Sequence, residues 1–312
     1  MSDCFEALVI ATFGRHLLVR DEAGRELKAR PFGRNLTVVC GDRVACRVDA
    51  RSSETHVLEV RPRRNALHRS NARGGAEPVV ANLSQLLIVL APTPLPDLFV
   101  TDRYLAAATS GAIAATLIVN KSELGIPPSL QPELDVYRAA GYAWLACSSR
   151  TGEGMEAIVE ACAGSVTALV GQSGVGKSSI IRRLVPDARI EIGALVREEE
   201  GRHTTTAARL FDLPAGGGLI DSPGVRDFAP AIDRLDRAHL GFIEVARLAG
   251  SCRFADCRHM REPGCAVSSA AAAGTLHPRR YESYRRMRRL YEELTETRGP
   301  LPRGSRRGPE RN

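Results

Sequence analysis

VTALVGQSGVGKSSIIRRL, residues 166–184, is the stretch that decides the fold. VTALV is an apolar run of strand length. It ends at Gly171-Gln172-Ser173-Gly174-Val175-Gly176-Lys177-Ser178-Ser179, which matches G-x-x-x-x-G-K-S, and a helical pattern runs on from Lys177 to Leu184. Strand, glycine-rich turn and helix in register are the context in which this pattern cradles phosphate. The glycines let backbone N–H groups wrap a β-phosphate, and the helix N-terminus adds its positive end. Lys177 is then placed to bridge the β- and γ-phosphates, and Ser178 to ligate Mg²⁺.

Working outward, LIDSPG (219–224) is a buried strand ending in D-x-x-G. Asp221 can reach the Mg²⁺ shell there, and the Gly224 N–H can sense a γ-phosphate. On the other side, LIVNKSE (117–123) ends another strand. Asn120 can bond a guanine edge, the Lys121 stem can lie across the base, and the Glu123 carboxylate can accept from guanine N1 and N2. Cys147-Ser148-Ser149 closes the next strand and can complete the pocket with backbone and hydroxyl contacts, chiefly from Ser148 and Ser149. An ATP-dependent enzyme is disfavoured by the Asn120-Lys121 pair. The order is inverted, however: base recognition precedes the phosphate loop, as expected of a circularly permuted domain whose original ends lay close together. Short buried strands alternating with helices from about residue 79 to 224 argue an α/β domain with a mostly parallel sheet.

The flanks read differently. CFEALVIATF, HLLVRD, ELKARP, LTVVCGDRVACRVD and THVLEVRPR (4–63) are strand-length runs broken by Gly, Asp or Pro. They predict a small β-barrel, of the oligonucleotide-binding (OB) or the SH3-like kind, which periodicity does not separate. RPRRNALHRSNARGG (61–75) reads as a basic linker. Residues 231–250 and 278–297 read as helical. Between them Cys252, Cys257, His259 and Cys265 form C-x4-C-x-H-x5-C. Three thiolates and an imidazole suit a tetrahedral, structural Zn²⁺ with no open position. The remaining cysteines fall singly on or near apolar runs and read as core residues.

Formal charge is +7 over 312 residues, with 43 Lys+Arg, only three of them lysines. Residues 1–70 carry a net +4, 71–276 a net −3 and 277–312 a net +6. Basic ends around a slightly acidic middle suggest parts that touch a polyanion. Arg61, Arg63, Arg64 and Arg69 are candidates to face phosphate. So are Arg279, Arg280, Arg285, Arg286, Arg288 and Arg289, with the arginines of the last helix expected to point outward. No stretch approaches 18 uninterrupted apolar residues, which argues against a membrane span. No secretory signal pattern opens the chain, and eight sparse cysteines suit a reducing compartment, so a cytoplasmic location is expected.

These motifs together resemble the circularly permuted, ribosome small-subunit-dependent GTPase family (RsgA, also called YjeQ), over about residues 1–297. The resemblance rests on the base-first order, on G-R-H-T-T-T at 201–206, on D-S-P-G at 221–224 and on the Cys/His signature. It implies a multidomain α/β protein. An N-terminal OB-fold β-barrel (1–70) that binds RNA would precede a circularly permuted P-loop GTPase domain (71–230), then a helical zinc-binding domain (231–297) and a disordered basic tail (298–312). Implied cofactors are GTP/GDP, Mg²⁺ and one structural Zn²⁺. Implied partners are the 30S ribosomal subunit and 16S rRNA, with a monomer acting late in small-subunit maturation. In the family the 201–206 loop is the first switch, and Thr205, with Thr204 beside it, is the expected Mg²⁺ ligand. Val225 follows D-x-x-G where many GTPases carry a water-orienting Gln. His203 is the local substitute that can accept a water proton, its alternative being a loop or RNA-contact residue. Glu123 departs from the family's usual Asp. Other readings of the chain are a GTPase acting on a 50S particle or tRNA, and a mainly structural RNA-binding protein.

Overall fold

The computed structural model describes residues 4–33, 35–49, 52–70, 75–186, 208–222, 225 and 229–296. The phosphate-loop strand β11 (Val166–Val170) lies at the middle of a sheet, between β8 (Gln85–Leu90) and β13 (Gly218–Asp221), parallel to both. β9 (Ala114–Val119) and β10 (Ala143–Ala146) extend the parallel set beyond β8, and β12 (Ala208–Asp212) pairs antiparallel with β13. Every residue of β8 is buried, and from Leu86 on it is an unbroken apolar run, as a strand covered on both faces requires. The covering helices are α1 (Leu98–Ser110), α2 (Gln131–Ala140), α3 (Met155–Cys162) and α4 (Lys177–Leu184). Asp97 caps α1, its carboxylate accepting from the Phe99 and Val100 N–H groups at 2.9 and 3.2 Å.

The N-terminal strands are β1 (Cys4–Phe13), β2 (His16–Asp21), β3 (Glu26–Pro31), β4 (Arg43–Val48) and β5 (Thr55–Val60). They close in the order β1-β2-β3-β5-β4-β1, with β3 and β5 parallel. A five-stranded closed barrel of this order is the OB arrangement, which periodicity left open. Val9, Val19, Val44 and Val57 fill its interior. The barrel is not a separate bead: β1 also pairs with β12, so barrel and α/β sheet form one 11-stranded sheet.

The segment expected to be a linker contains a strand. β6 (Ala66–Ser70) pairs antiparallel with β7 (Ala76–Ala81). Within it Leu67 is buried in the main core, which five arginines in the flanking sequence obscure.

The C-terminal unit packs on α1. Its helices are α5 (Ile243–Ala249), α6 (Ala266–Ala272) and α7 (Pro278–Glu296). The expected helix over 231–250 is shorter than its pattern, reduced to a 3₁₀ turn at Ile232–Arg234 and to α5. Leu240 and Gly241 adopt positive φ between them. A Cβ on Gly241 would lie 2.2 Å from the Ala106 carbonyl of α1, so backbone contact between the two units requires glycine here.

Several arginines expected to face outward are internal. Asp102 of α1 is fully buried, and its carboxylate accepts from Arg280 Nη1 at 2.6 Å, Arg279 Nη1 at 2.8 Å and Tyr137 Oη at 2.7 Å. Arg280, 2% exposed, also donates to Glu244 at 2.6 Å and lies over the Phe242 ring; Arg279 donates to Glu133 at 2.6 Å. Burial alone would lower the Arg280 guanidinium, but Asp102 and Glu244 outweigh it and push its pKa up. Arg288 is buried too, donating to the Arg237 and Ala238 carbonyls. Arg63 is turned inward in the same way, onto buried Asp42. Arg286 and Arg289 do stay exposed.

Removing one partner of a buried ion pair strands the other. Arg280→Ala is therefore expected to lower unfolding free energy in urea by about 3–5 kcal/mol. Arg289→Ala, which removes an exposed partner of Glu282, should cost about 1 kcal/mol or less in the same titration.

Candidate nucleotide site and metal centre

The carboxyl ends of β8, β9, β10, β11 and β13 all open on one edge of the sheet, and the loops leaving them build one site. Lys177 heads α4 and is 6% exposed; its Nζ donates to the carbonyls of Gly171 and Gln172 at 2.7 Å each, folding across the phosphate loop. Gln172 reaches sideways, accepting from the Asp97 N–H at 2.9 Å. Ser173, Gly174 and Ser178 are exposed along the loop, while Val175 is buried beneath it. Asp221 and Ser222 are buried at the end of β13.

Asn120 is fully buried at the end of β9. Its Nδ2 donates to the Val175 carbonyl at 2.9 Å, and its Oδ1 accepts from the Ser149 N–H at 2.9 Å. One amide thus ties the phosphate loop to the 147–149 loop. Gly176 makes room for it: at φ 97°, a Cβ there would lie 2.2 Å from Asn120 Nδ2. Lys121 adopts φ 62° and sends Nζ to the Thr93 carbonyl at 2.7 Å, so its stem spans the floor beside the loop. Glu123 sits on a 3₁₀ turn (Ser122–Leu124), and the Arg150 Nε donates to its Oε1 at 2.9 Å. Hydrogen bonds from the Ser148 hydroxyl and from Arg150 hold the Glu123 carboxyl down, at about 2. Together Asn120, Lys121, Glu123, Ser149 and Gly176 line a cavity of about 620 Å³, with Arg150, Ser179, Arg182 and Arg183 on its rim.

The three rim arginines were not anticipated from the sequence, although Arg150 directly follows the Cys-Ser-Ser stretch. Arg183, on α4, donates to the Ser149 and Arg150 carbonyls at 3.0 and 2.9 Å and so holds that loop against the phosphate-loop helix. Val225 is 1% exposed and part of the core. His203, Thr204, Thr205 and Gly224 lie outside the described residues, as does the basic tail at 298–312.

Some distance along the chain, Cys252, Cys257, His259 and Cys265 bring their ligand atoms within 4.8 Å of one another. Cys252 Sγ and Cys265 Sγ lie 3.4 and 3.6 Å from His259 Nδ1, and 4.0 Å from each other. Bond lengths of about 2.3 Å to sulfur and 2.0–2.1 Å to nitrogen set tetrahedron edges of about 3.5–3.8 Å, so the cluster fits one Zn²⁺-sized ion. Burial, with Arg288 and His239 nearby, pushes the His259 imidazole down, towards the neutral form that ligates metal. The supporting loop is closed by Glu262, whose carboxylate accepts from the N–H groups of Arg258, Met260 and Arg261. Burial would raise that carboxyl; the backbone donors outweigh it and hold it at about 2. Tyr281 and Tyr284 of α7 donate to the His259 and Arg258 carbonyls, both at 2.9 Å.

A family model, RsgA GTPase, matches residues 60–230, which hold every strand around the nucleotide cavity. The chain belongs to the RsgA GTPase family. It is 42% identical over 286 residues to the small ribosomal subunit biogenesis GTPase RsgA of Azotobacter vinelandii, covering 89% of this chain and 83% of that protein. It is 44% identical over 285 residues to the protein of that name from Chromohalobacter salexigens, with the same coverage. Among solved structures, the fold is similar to YjeQ from Thermotoga maritima (TM-score 0.71, 24% identity, 93% of this chain and 99% of that one). It is also similar to YloQ, a circularly permuted GTPase (TM-score 0.69, 23% identity, 96% and 98%). Members of the RsgA family are GTP-hydrolysing enzymes, and the family implies a guanine nucleotide and Mg²⁺ for this chain.

In RsgA terms the inverted motif order is a matter of connectivity, not of site, since both sets of loops reach one cavity. The pocket depends on the missing Cβ of Gly176. Gly176→Ala is expected to displace Asn120 and weaken GDP binding by at least about tenfold, a loss of about 1.4 kcal/mol, in a fluorescent-nucleotide titration.

Proposed function

We propose that the chain is a GTPase whose turnover is switched on by the 30S ribosomal subunit and which acts late in small-subunit maturation in the cytoplasm, contacting 16S rRNA. The observation that carries this is the similarity, at above 40% identity over 89% of the chain, to proteins named for small ribosomal subunit biogenesis. The proposed division is an OB-fold unit at 1–70, the GTPase domain at 71–230, a zinc-binding helical domain at 231–297 and a basic tail at 298–312, in a monomer.

The roles follow from the chemistry of the site. Asn120, Lys121, Glu123, Ser148 and Ser149 take the guanine. The loop from Gly171 through Gln172, Ser173, Gly174, Val175 and Gly176 to Ser179 wraps the phosphates, with Lys177 on the β- and γ-phosphates. Ser178, Asp221 and Thr205, with Thr204 beside it, hold Mg²⁺, which when bound neutralises charge developing on the phosphate oxygens. Gly224 senses the γ-phosphate through its N–H, and His203 orients the attacking water. A buried Val225 offers that water no polar group. Slow intrinsic hydrolysis, completed by a partner, is the expected consequence.

RNA contact is supported on the barrel by exposed Phe32, with the Arg47 guanidinium 5.9 Å from its ring and His56 edge-on. An exposed ring beside a guanidinium and a second ring is the chemistry that stacks unpaired bases. Exposed Arg286 and Arg289 of α7 supply phosphate contacts. The Cys252, Cys257, His259 and Cys265 cluster holds a structural Zn²⁺ that organises a unit with a small core of its own.

GTP hydrolysis measured alone and with purified 30S, 50S or 70S particles tests the main reading. Stimulation by 30S is expected, and a rate that 30S leaves unchanged overturns it. His203→Ala should abolish the stimulated rate while nucleotide affinity holds; full stimulated turnover in that variant removes His203 from the reaction. Cys257→Ser should lose the bound zinc seen by elemental analysis and expose the C-terminal unit to limited proteolysis.

A further inference from the structure

Glu123 raises a difficulty that the guanine reading leaves open. Its side chain is one methylene longer than the aspartate usual at this position, about 1.5 Å of extra reach with one more rotatable bond. A free glutamate here would sample rotamers that miss the base, and ordering it would oppose binding. The structure shows what removes that freedom. Arg150 caps the carboxylate from the solvent side, Nε to Oε1 at 2.9 Å, with Arg150 71% exposed and Glu123 only 12%. The Ser148 hydroxyl holds the same carboxylate from the 147–149 loop, and Glu123 so held lines the nucleotide cavity. Arg150 is itself anchored, because Arg183 on the phosphate-loop helix holds its carbonyl at 2.9 Å.

We infer that Arg150 is a specificity-determining positioning residue, which pins Oε1 of Glu123 and so fixes the rotamer in which the carboxylate meets the N1 and N2 donors of guanine. The clamp rests on the guanine-site reading above. A carboxylate held in one rotamer beside the base rewards a base that donates to it and penalises one that does not. Hypoxanthine keeps the N1 donor and lacks the N2 amino group, so the ratio of GDP to IDP affinity reads the grip of Glu123 on the base. Arg150 reaches only Oε1 and acts through the carboxylate. The clamp also explains how this chain tolerates the longer acid, since aspartate would fall short of Arg150 and needs no cap.

Fluorescent-nucleotide competition with GDP, IDP and ADP, on the full chain, tests the inference. Arg150→Ala is expected to reduce GDP affinity and the GDP/IDP ratio by about three- to tenfold, the span of one hydrogen bond. Arg150→Lys should recover part of the ratio. In Glu123→Asp, adding Arg150→Ala should change the ratio little, so the two substitutions are non-additive. Equal loss of GDP and IDP affinity in Arg150→Ala overturns the clamp, as does an unchanged ratio or an undiminished effect in the aspartate background. Arg150 is exposed, and a thermal melt matching the parent's shows that any loss is local. Failure of the underlying reading looks different: the unaltered protein would then bind GDP no better than ADP.

Discussion

Parallel pairing of β11 with β8 on one side and β13 on the other is the constraint on which the rest of the molecule depends. Parallel strands place all their carboxyl ends at one edge of a sheet, and ligands of open α/β sheets bind outside that edge. Here that edge collects the loops 120–124, 147–151 and 171–176, the start of α4, and Ser222 at the end of β13. Their order along the chain is irrelevant to where they meet. Permutation relocates the chain ends and leaves the strand neighbours alone. That is how a base motif some 50 residues ahead of the phosphate loop can share its hydrogen bonds through one buried asparagine.

A second constraint joins this sheet to the units around it. The barrel is continuous with the sheet through β1 and β12, a hydrogen-bonded seam. The C-terminal unit is held differently, by backbone contact at Gly241 and by a buried carboxylate that gathers two arginines and a tyrosine. Such a cluster is weak evidence for net stability, because desolvating the charges offsets much of their attraction. It is strong in another respect, since a displaced Arg280 leaves Asp102 uncompensated. The charges thus specify one docking of the C-terminal helices on α1. Asp102 neighbours Arg103, whose Nη2 donates to the Pro230 carbonyl just beyond the D-x-x-G segment. The helix that receives the C-terminal unit therefore also contacts the chain leaving the nucleotide site.

Much of the site was legible locally. The phosphate loop, the helix Lys177–Leu184 and the strands β8, β9 and β11 follow from apolar runs and glycine spacing, which are short-range signals. The Cys/His spacing likewise implied a closed tetrahedral centre, and the four ligand atoms do converge. What misled was charge. Ten arginines near the ends read as a surface, yet Arg280 and Arg288 are among the most buried side chains of α7. Helical periodicity assigns them a face of the helix, but whether that face is wet depends on Asp102 and Glu244 for Arg280 and on the Arg237 and Ala238 carbonyls for Arg288, all far away in the chain. Leu67 was hidden for the same reason, as a lone apolar residue among arginines whose strand partner lies across a turn.

By itself the sequence determined the local elements, the glycine-rich phosphate-loop pattern and the Cys/His set, because each rests on residues close together in the chain. Only the tertiary structure decided the barrel's closure order, which arginines belong to the core, and which side chains hold the Glu123 carboxylate. Those outcomes turn on pairing and desolvation between distant segments. A guanidinium or a carboxylate oxygen takes its role from the partners that burial brings to it, and those partners are set by the fold.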